Sequence, residues 1–361
     1  MLSRIAARDV LGMAASFLVA LAGVLLWRLA KLPLPWLVGP LWAVAAARIV
    51  GLPLVAPPAT RQSGQWVIGV NMGLYFTPPV VAELLVHAGL IAGMALVSLL
   101  MGIVSAVVLL RLRLANPATA FFSSMPGGAN EMTHLAERWH AAADLVAAAH
   151  ATRVMLVVFV IPLALALWIG QGNAMAVVAT PEVDWSRLTL MAFASLCGAG
   201  LFFWWRWSNP WLLGTMSATA ALGIAGIPLS ALPDWLSAAG QLLVGLALGS
   251  YFGPGFMRKS PRFLLAIMAM SLLFMAATAL ISWLIAMFTH LSVSNLILSF
   301  APGGIAEMSI TASLLHLGVP LVVASHVTRV VLLTVCAPYV YRRFLGIFGV
   351  AANHARSGKE A

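Results

Sequence analysis

Apolar residues run along this chain in blocks of about twenty, separated by short polar turns. In the first half the blocks lie near residues 10–30, 36–51, 63–81, 86–110, 117–136 and 142–169, and the second half shows six more. A block of roughly 20 apolar residues is long enough to cross the hydrocarbon core of a bilayer as a helix. No stretch has the period-two alternation of a barrel strand. The pattern predicts an all-α, polytopic integral membrane protein. The fifth block of each half is different, because FFSSMPGGAN and LSFAPGGIAE place Pro-Gly-Gly near its middle. Proline lacks the N–H that a helix needs and the glycines add backbone freedom, so this segment is broken or re-entrant. Broken backbone at membrane depth survives only where protein or a water-filled cavity covers it.

Composition removes the alternatives. The chain has 361 residues, 62% of them apolar and 8% charged, with a mean hydropathy of +1.00. A soluble domain carries about 25% charge, and no polar stretch here is long enough for a separate aqueous domain of ~100 residues. The formal charge of +10 reports basic cytoplasmic loops and anionic headgroups rather than nucleic acid. Cys197 and Cys336 both sit in apolar runs and build neither a disulfide framework nor a thiolate metal site. Residues 1–30 carry Arg4 and Arg8 ahead of a long apolar run without a convincing cleavage pattern, and are read as the first membrane helix of the mature chain.

The chain repeats itself. PWLVG at Pro35 recurs as PWLLG at Pro210, a shift of 175. After one inserted residue the shift is 176. It carries Gln65, Gly69, Gly73, Tyr75, Phe76 and Pro78 onto Gln241, Gly245, Gly249, Tyr251, Phe252 and Pro254. It carries Pro126, Gly127, Gly128, Glu131 and Met132 onto Pro302, Gly303, Gly304, Glu307 and Met308. It also carries His140, His150, Thr152, Arg153 and Pro162 onto His316, His326, Thr328, Arg329 and Pro338. Two domains follow, a membrane repeat at 1–176 and a second at 177–361.

Charge orients the halves. In the first, the loop before the fourth block is acidic (Glu83) and the loop after it is basic (Arg111, Arg113). In the second, the earlier loop is basic (Arg258, Lys259, Arg262) and the later one has no Lys or Arg. Basic loops stay in the cytoplasm, so the halves are inverted, each with about five transmembrane helices plus a broken or re-entrant Pro-Gly-Gly segment. Arg4, Arg8, Arg48, Arg61, Arg206, Arg342 and Arg343 then also face the cytoplasm, and Glu83, Glu182, Asp184 and Asp234 face outward. Arg28 and Lys31 fall on the outer side.

Four ionisable residues sit inside apolar segments: Glu131 and Arg153, then Glu307 and Arg329. Charges inside a bilayer pair with one another or line a polar pathway, and a Glu131–Arg153 bond across the hairpin is geometrically reasonable. Such pairs either lock the hairpin or expose one member to a substrate or proton. His150 and His326 precede the arginines by three residues and share their helix face. They either shuttle protons or bond carbonyls freed at the break. His140 and His316 lie near the starts of their helices. His134 has no counterpart, since Ile310 matches it. The backbone of the breaks, at Pro126, Gly127, Gly128 and at Pro302, Gly303, Gly304, is a candidate site in itself. Ser123, Ser124, Asn130, Thr133, Ser299 and Ser309 offer neutral hydrogen bonds beside it. Gly69 with Gly73 and Gly245 with Gly249 read as close helix packing. No ligand spacing for a metal, nucleotide fingerprint or nucleophile elbow stands out, so neither a metal nor a cofactor is expected.

PGGANEM and PGGIAEM, followed by HATRV and HVTRV and preceded by LPLPWLVGP, resemble the AbrB family of bacterial membrane proteins. The resemblance covers nearly the whole chain and implies a multi-pass protein of the bacterial inner membrane. Members of that family carry two labels, a regulator of gene expression (the AidB regulator) and an ammonia monooxygenase. The broken hairpin is also similar to that of bile-acid:sodium symporters and cation/proton antiporters. The Asn that follows the glycines in those symporters is matched by Asn130 in the first half, while Ala306 stands in the second.

Three functions compete. A secondary transporter, working by an elevator or rocking motion and coupled to Na⁺ or H⁺, fits the duplication, the inverted charges and the paired breaks. A membrane protein that regulates gene expression needs a partner, because no cytoplasmic module for reading DNA is present and the tail from Arg342 to Ala361 is short. A membrane monooxygenase lacks a ligand set. The expectation is therefore a non-enzymatic carrier whose partners are a small solute, a coupling ion and the bilayer. Nucleic acid is excluded and a homo-oligomer left open.

Overall fold

The computed structural model describes residues 7–169, 183–207, 209–254 and 260–357. Arg4, Glu182, Arg258 and Lys259, used above to orient the halves, lie outside the described residues, as do the side chains of Arg8 and Asn130. The described chain is helical. In order the helices are α1 (Ala7–Leu29), α2 (Pro35–Ile49), α3 (Pro58–Gly73), α4 (Pro78–Val86), α5 (Ala88–Arg111), α6 (Pro117–Ser124), α7 (Ala129–Arg138), α8 (Ala143–Ile169), α9 (Trp185–Trp204), α10 (Pro210–Ile224), α11 (Asp234–Gly249), α12 (Pro261–Phe288), α13 (Val293–Phe300), α14 (Ile305–Leu314) and α15 (Val319–Ser357).

Six of these, α1, α5, α8, α9, α12 and α15, are long and apolar enough to cross a membrane. Their outward faces carry Leu18, Leu100, Val104, Leu273 and Phe288, all exposed, as lipid rather than water demands. Helices α2, α3, α10 and α11 have 15 or 16 residues, about 22–24 Å at 1.5 Å per residue. A ten-crossing topology uses these four short helices as well.

The block expected at 63–81 is not one continuous helix. It breaks into α3 and α4, which bend by 88°. Pro78 and Pro79 lack N–H groups, so the helix cannot run through them, yet proline is tolerated in a first turn and begins α4 after extended Thr77.

The repeat is written in the backbone. Left-handed residues stand at matching places, Lys31 with Arg206, Leu34 with Asn209, and His140 with His316. His140 and His316 do not open the following helix but close the preceding one. The N–H groups of Ala141 and Leu317 reach back to the carbonyls of Ala136 and Ala312, the Schellman closure of a helix end.

The chain forms two compact units, and each draws on both repeats. Unit 1 comprises Met1–His87, Val158–Phe256 and Ile305–Val323; unit 2 comprises Ala88–Val157, Met257–Gly304 and Ala324–Ala361. Within unit 1, α1 packs on α2, α2 on α11, α11 on α3, α3 on α10 and α10 on α9. The contacts are reciprocal. A Cβ on Gly69 would lie 2.6 Å from the Leu212 carbonyl, and one on Gly245 would strike the equivalent Leu37 carbonyl; Gly64 and Gly240 meet between them. Patch i on j and j on i is the signature of a two-fold relation, so these glycines serve close packing.

Within unit 2, α5 packs on α6 and on α12, and α12 on α13. Phe121, Phe122 and Met125 at the end of α6 are buried against Leu333, Ala337, Tyr341 and Phe344 of α15. The Phe121 and Tyr341 rings stand 5.1 Å apart. A half-helix from the first repeat is thereby held by the last helix of the second.

Candidate functional site

The two breaks have the same local cause. Helix α6 starts at Pro117 behind Asn116, whose side chain accepts the Thr119 N–H at 2.7 Å. It ends at Ser124 because Pro126 has no N–H for the Phe122 carbonyl four residues before it. Met125 is extended and Gly128, also extended, leads into α7. In the second repeat Ser292 caps α13 by accepting the Asn295 N–H. Pro302 leaves the Leu298 carbonyl free in the same way, and Ala301 leaves the helical region at φ −53°, ψ 143°.

Freed carbonyls inside a membrane protein must be paired. His150 Nε2 lies 3.1 Å from the Phe122 oxygen, and His326 Nε2 lies 2.8 Å from the Leu298 oxygen. Arg153 donates from Nη1 to Met125 O at 2.9 Å and from Nη2 to Ser123 O. Arg329 donates from Nη1 to Ala301 O and from Nη2 to Gly303 O at 2.6 Å. Its Nη2 also donates to His326 Nδ1 at 2.9 Å. His326 therefore uses Nε2–H as donor and Nδ1 as acceptor, a pairing available only to the neutral ring. His150, bonded alike through Nε2, is a carbonyl partner too.

The Glu131–Arg153 bond that the spacing allows is not formed. Among the described residues the ion pairs are His134 with Glu137 and Asp184 with Arg187, both at exposed positions. Glu131 is the third residue of α7, and its carboxylate folds back over Gly128 into the space a Cβ there would fill. An acidic group at that position answers the unpaired N–H groups and positive end of the helix. Glu307 holds the equivalent place in the first turn of α14, within unit 1, and is 7% exposed. Groups that read as salt-bridge partners are divided between tasks. The arginines serve carbonyls, and Glu131 serves a helix start.

One pocket of unit 2 brings the two breaks together. It is lined by Ser105, Ser124, Arg153, Ile267, Ser271 and Pro302, among others, and has about 10 Å³ of free space, the room of roughly one water. Ser124 ends α6 and Pro302 belongs to the second break. Ser124 is 4% exposed and its hydroxyl has no hydrogen-bond partner; the Ser299 hydroxyl and Arg329 Nε are buried and unpartnered as well. The other polar residues expected here bond their own helices: Ser123 to Thr119 O, Thr133 to Ala129 O at 2.7 Å, and Ser309 to Ile305 O at 2.7 Å. No group of His, Cys, Asp and Glu that could hold a metal occurs among the described residues.

The chain is matched by a family model. It is described as Transition state regulatory protein AbrB and covers residues 36–345. The chain belongs to the AbrB family. Among AbrB relatives, "Uncharacterized protein YhjN" of Bacillus subtilis (strain 168) is 28% identical over 297 residues, 77% of each chain. "Putative regulator AbrB" of Escherichia coli (strain K12) is 26% identical over 320 residues, 86% of this chain and 90% of that one.

Ser105 and Ser271 were not singled out by sequence. Each is one of several hydroxyl residues in a long apolar helix, Ser105 with Ser98 in α5 and Ser271 with Thr278 and Ser282 in α12. Each donates to the carbonyl four residues back, Ser105 to Met101 O at 2.9 Å and Ser271 to Ile267 O at 2.7 Å. A serine in an apolar helix commonly does this, which masks its second role as a pocket wall.

Proposed function

We propose that the protein is a secondary transporter of the bacterial inner membrane, moving a small solute coupled to Na⁺ or H⁺ by an elevator or rocking motion. The observation that carries this reading is the pocket in unit 2 where residues of both breaks meet beside a buried arginine. Carriers built from inverted repeats place their sites where two discontinuous helices come together. The reciprocal glycine packing of unit 1 supports a two-fold relation between repeats, and the opposite loop charges favour an axis in the membrane plane. On this reading Pro126, Gly127 and Gly128 with Pro302, Gly303 and Gly304 form the floor of the site. Arg153, Arg329, His150 and His326 pair the carbonyls freed around it, and the carboxyl of Glu131 in unit 2 and, separately, that of Glu307 in unit 1 are each available to a coupling cation.

The protein performs no catalysis in this reading and touches no nucleic acid. The test is flux: the full chain in liposomes accumulates a labelled solute under an imposed proton or sodium gradient, and Glu307→Gln abolishes the uptake while the protein stays folded. A library of anionic, cationic and neutral metabolites that yields no flux in the wild type overturns the proposal.

The name of the Escherichia coli relative favours one second reading, regulation of gene expression from the membrane without DNA contact. A carrier whose loss changes metabolite levels produces the same phenotype. A stable cytoplasmic partner together with absent flux decides for the regulator.

A further inference from the structure

Arg153 is 6% exposed, and among the described residues no carboxylate pairs with it. A guanidinium has five N–H donors. Met125 O and Ser123 O take one each, which leaves three. Carbonyl dipoles offset part of the burial cost of this cation, but its full charge stays unmatched. Arg329, in the same unit, likewise serves carbonyls and keeps Nε unpartnered. Between the two breaks, the pocket wall adds the Ser124 hydroxyl, a buried donor with no acceptor. Ser105 and Ser271 can turn their hydroxyls from their own helices toward the same space.

We propose that this pocket is an anion site, in which Arg153 and Ser124 hold one oxygen of a carboxylate or phosphate group. A cation is disfavoured by the Arg153 guanidinium in the pocket wall, and a neutral solute leaves its positive charge unanswered. The free space of about 10 Å³ admits one water-sized group, so an anion larger than that requires the pocket to widen around it. The inference deepens the carrier reading by naming its solute class, and it rests on that reading.

The test is binding, separate from flux. The full chain in nanodiscs of phosphatidylcholine alone is titrated with sodium acetate, sodium succinate and sodium phosphate. Putrescine dihydrochloride and sodium chloride at matched ionic strength serve as controls, and the midpoint of thermal unfolding is followed. At least one of the three oxyanions raises the midpoint, and Ser124→Ala weakens its apparent affinity by about tenfold or more, as loss of a hydrogen bond to a charged group does. Arg153→Lys, which keeps the charge and loses the fork, weakens it as well. A second set of nanodiscs containing phosphatidylglycerol separates the sources. If that lipid alone gives the Ser124-dependent shift, the bound group is a headgroup phosphate; if only the free anion does, it is a solute. No shift with any oxyanion or with the anionic lipid, or a shift that Ser124→Ala leaves intact, overturns the proposal. Binding without flux would retain the site and defeat the carrier, whereas flux of a cation insensitive to Ser124→Ala would do the reverse.

Discussion

His150 Nε2 stands 3.1 Å from the carbonyl oxygen of Phe122, the acceptor that Pro126, lacking an N–H, leaves open four residues on. The ring completes a helix that its own sequence interrupts. His326 repeats the arrangement on Leu298 and adds a bond from Arg329. Removing a partner from a buried carbonyl costs about 1–3 kcal/mol. His150→Ala should destabilise the protein by that amount, and His326→Ala by more, since Arg329 also loses an acceptor. Unfolding in detergent, followed for both variants against wild type, checks the size and the order.

Arg153 and Arg329 place two nitrogens on two carbonyls of their own hairpins. Lysine is a point charge and cannot span such a pair. Arg153→Lys and Arg329→Lys should each fold with a lower thermal midpoint, and removing a carboxylate should not reproduce the effect. Glu131→Gln, whose wild-type carboxylate lies over Gly128 rather than on Arg153, should leave the midpoint within a few degrees of wild type. A double variant, Glu131→Gln with Arg153→Lys, should be additive, as expected of groups that do not interact.

The close approaches of unit 1 make a second set of opposite expectations. At Gly69 a methyl group would meet Thr215 and the Leu212 carbonyl, and at Gly245 the Leu37 carbonyl. Overpacking of this kind costs about 1–3 kcal/mol. Gly93, in α5, has nothing within 4 Å of an added Cβ, and Gly93→Ala should stabilise by about 0.5–1 kcal/mol through helix propensity. Thermal midpoints of the three alanine variants give the signs directly.

At the start of α9, outside the apolar span, Asp184 accepts hydrogen bonds from Ser186 and Arg187. These bonds, the Ser186 hydroxyl foremost, hold its carboxyl below the usual range, and the Arg187 charge adds to the effect. A depressed value in the folded state means that the cap contributes fully above the ordinary carboxylate value of about 3.9. The contribution is lost as pH falls through the lower folded value. Fluorescence of a Trp185-only variant should change in acid below about pH 4, and Asp184→Asn should remove that transition.

The duplication, the helical class and both breaks were legible because each rests on local chemistry: Pro126 and Pro302 interrupt a helix wherever they stand. The destination of Arg153 was not. Spacing places Glu131 and Arg153 on facing segments, but it does not say that carbonyls freed by Pro126 lie nearer the guanidinium, or that Gly128 makes room for the carboxylate. The split at Thr77 was written in Pro78 and Pro79, yet an apolar run on both sides hid it. Ser271 was invisible, since nothing in a 28-residue apolar helix marks which polar residue faces a pocket.

A carrier of this kind requires two repeats lying in opposite orientations, so that their breaks converge. Single cysteines at Arg113 and Arg262, in a background without Cys197 and Cys336, test this by labelling with an impermeant maleimide in intact and opened cells. Both positions should label only when the cytoplasmic face is exposed. Labelling of the two from opposite faces would contradict inversion, and the carrier with it.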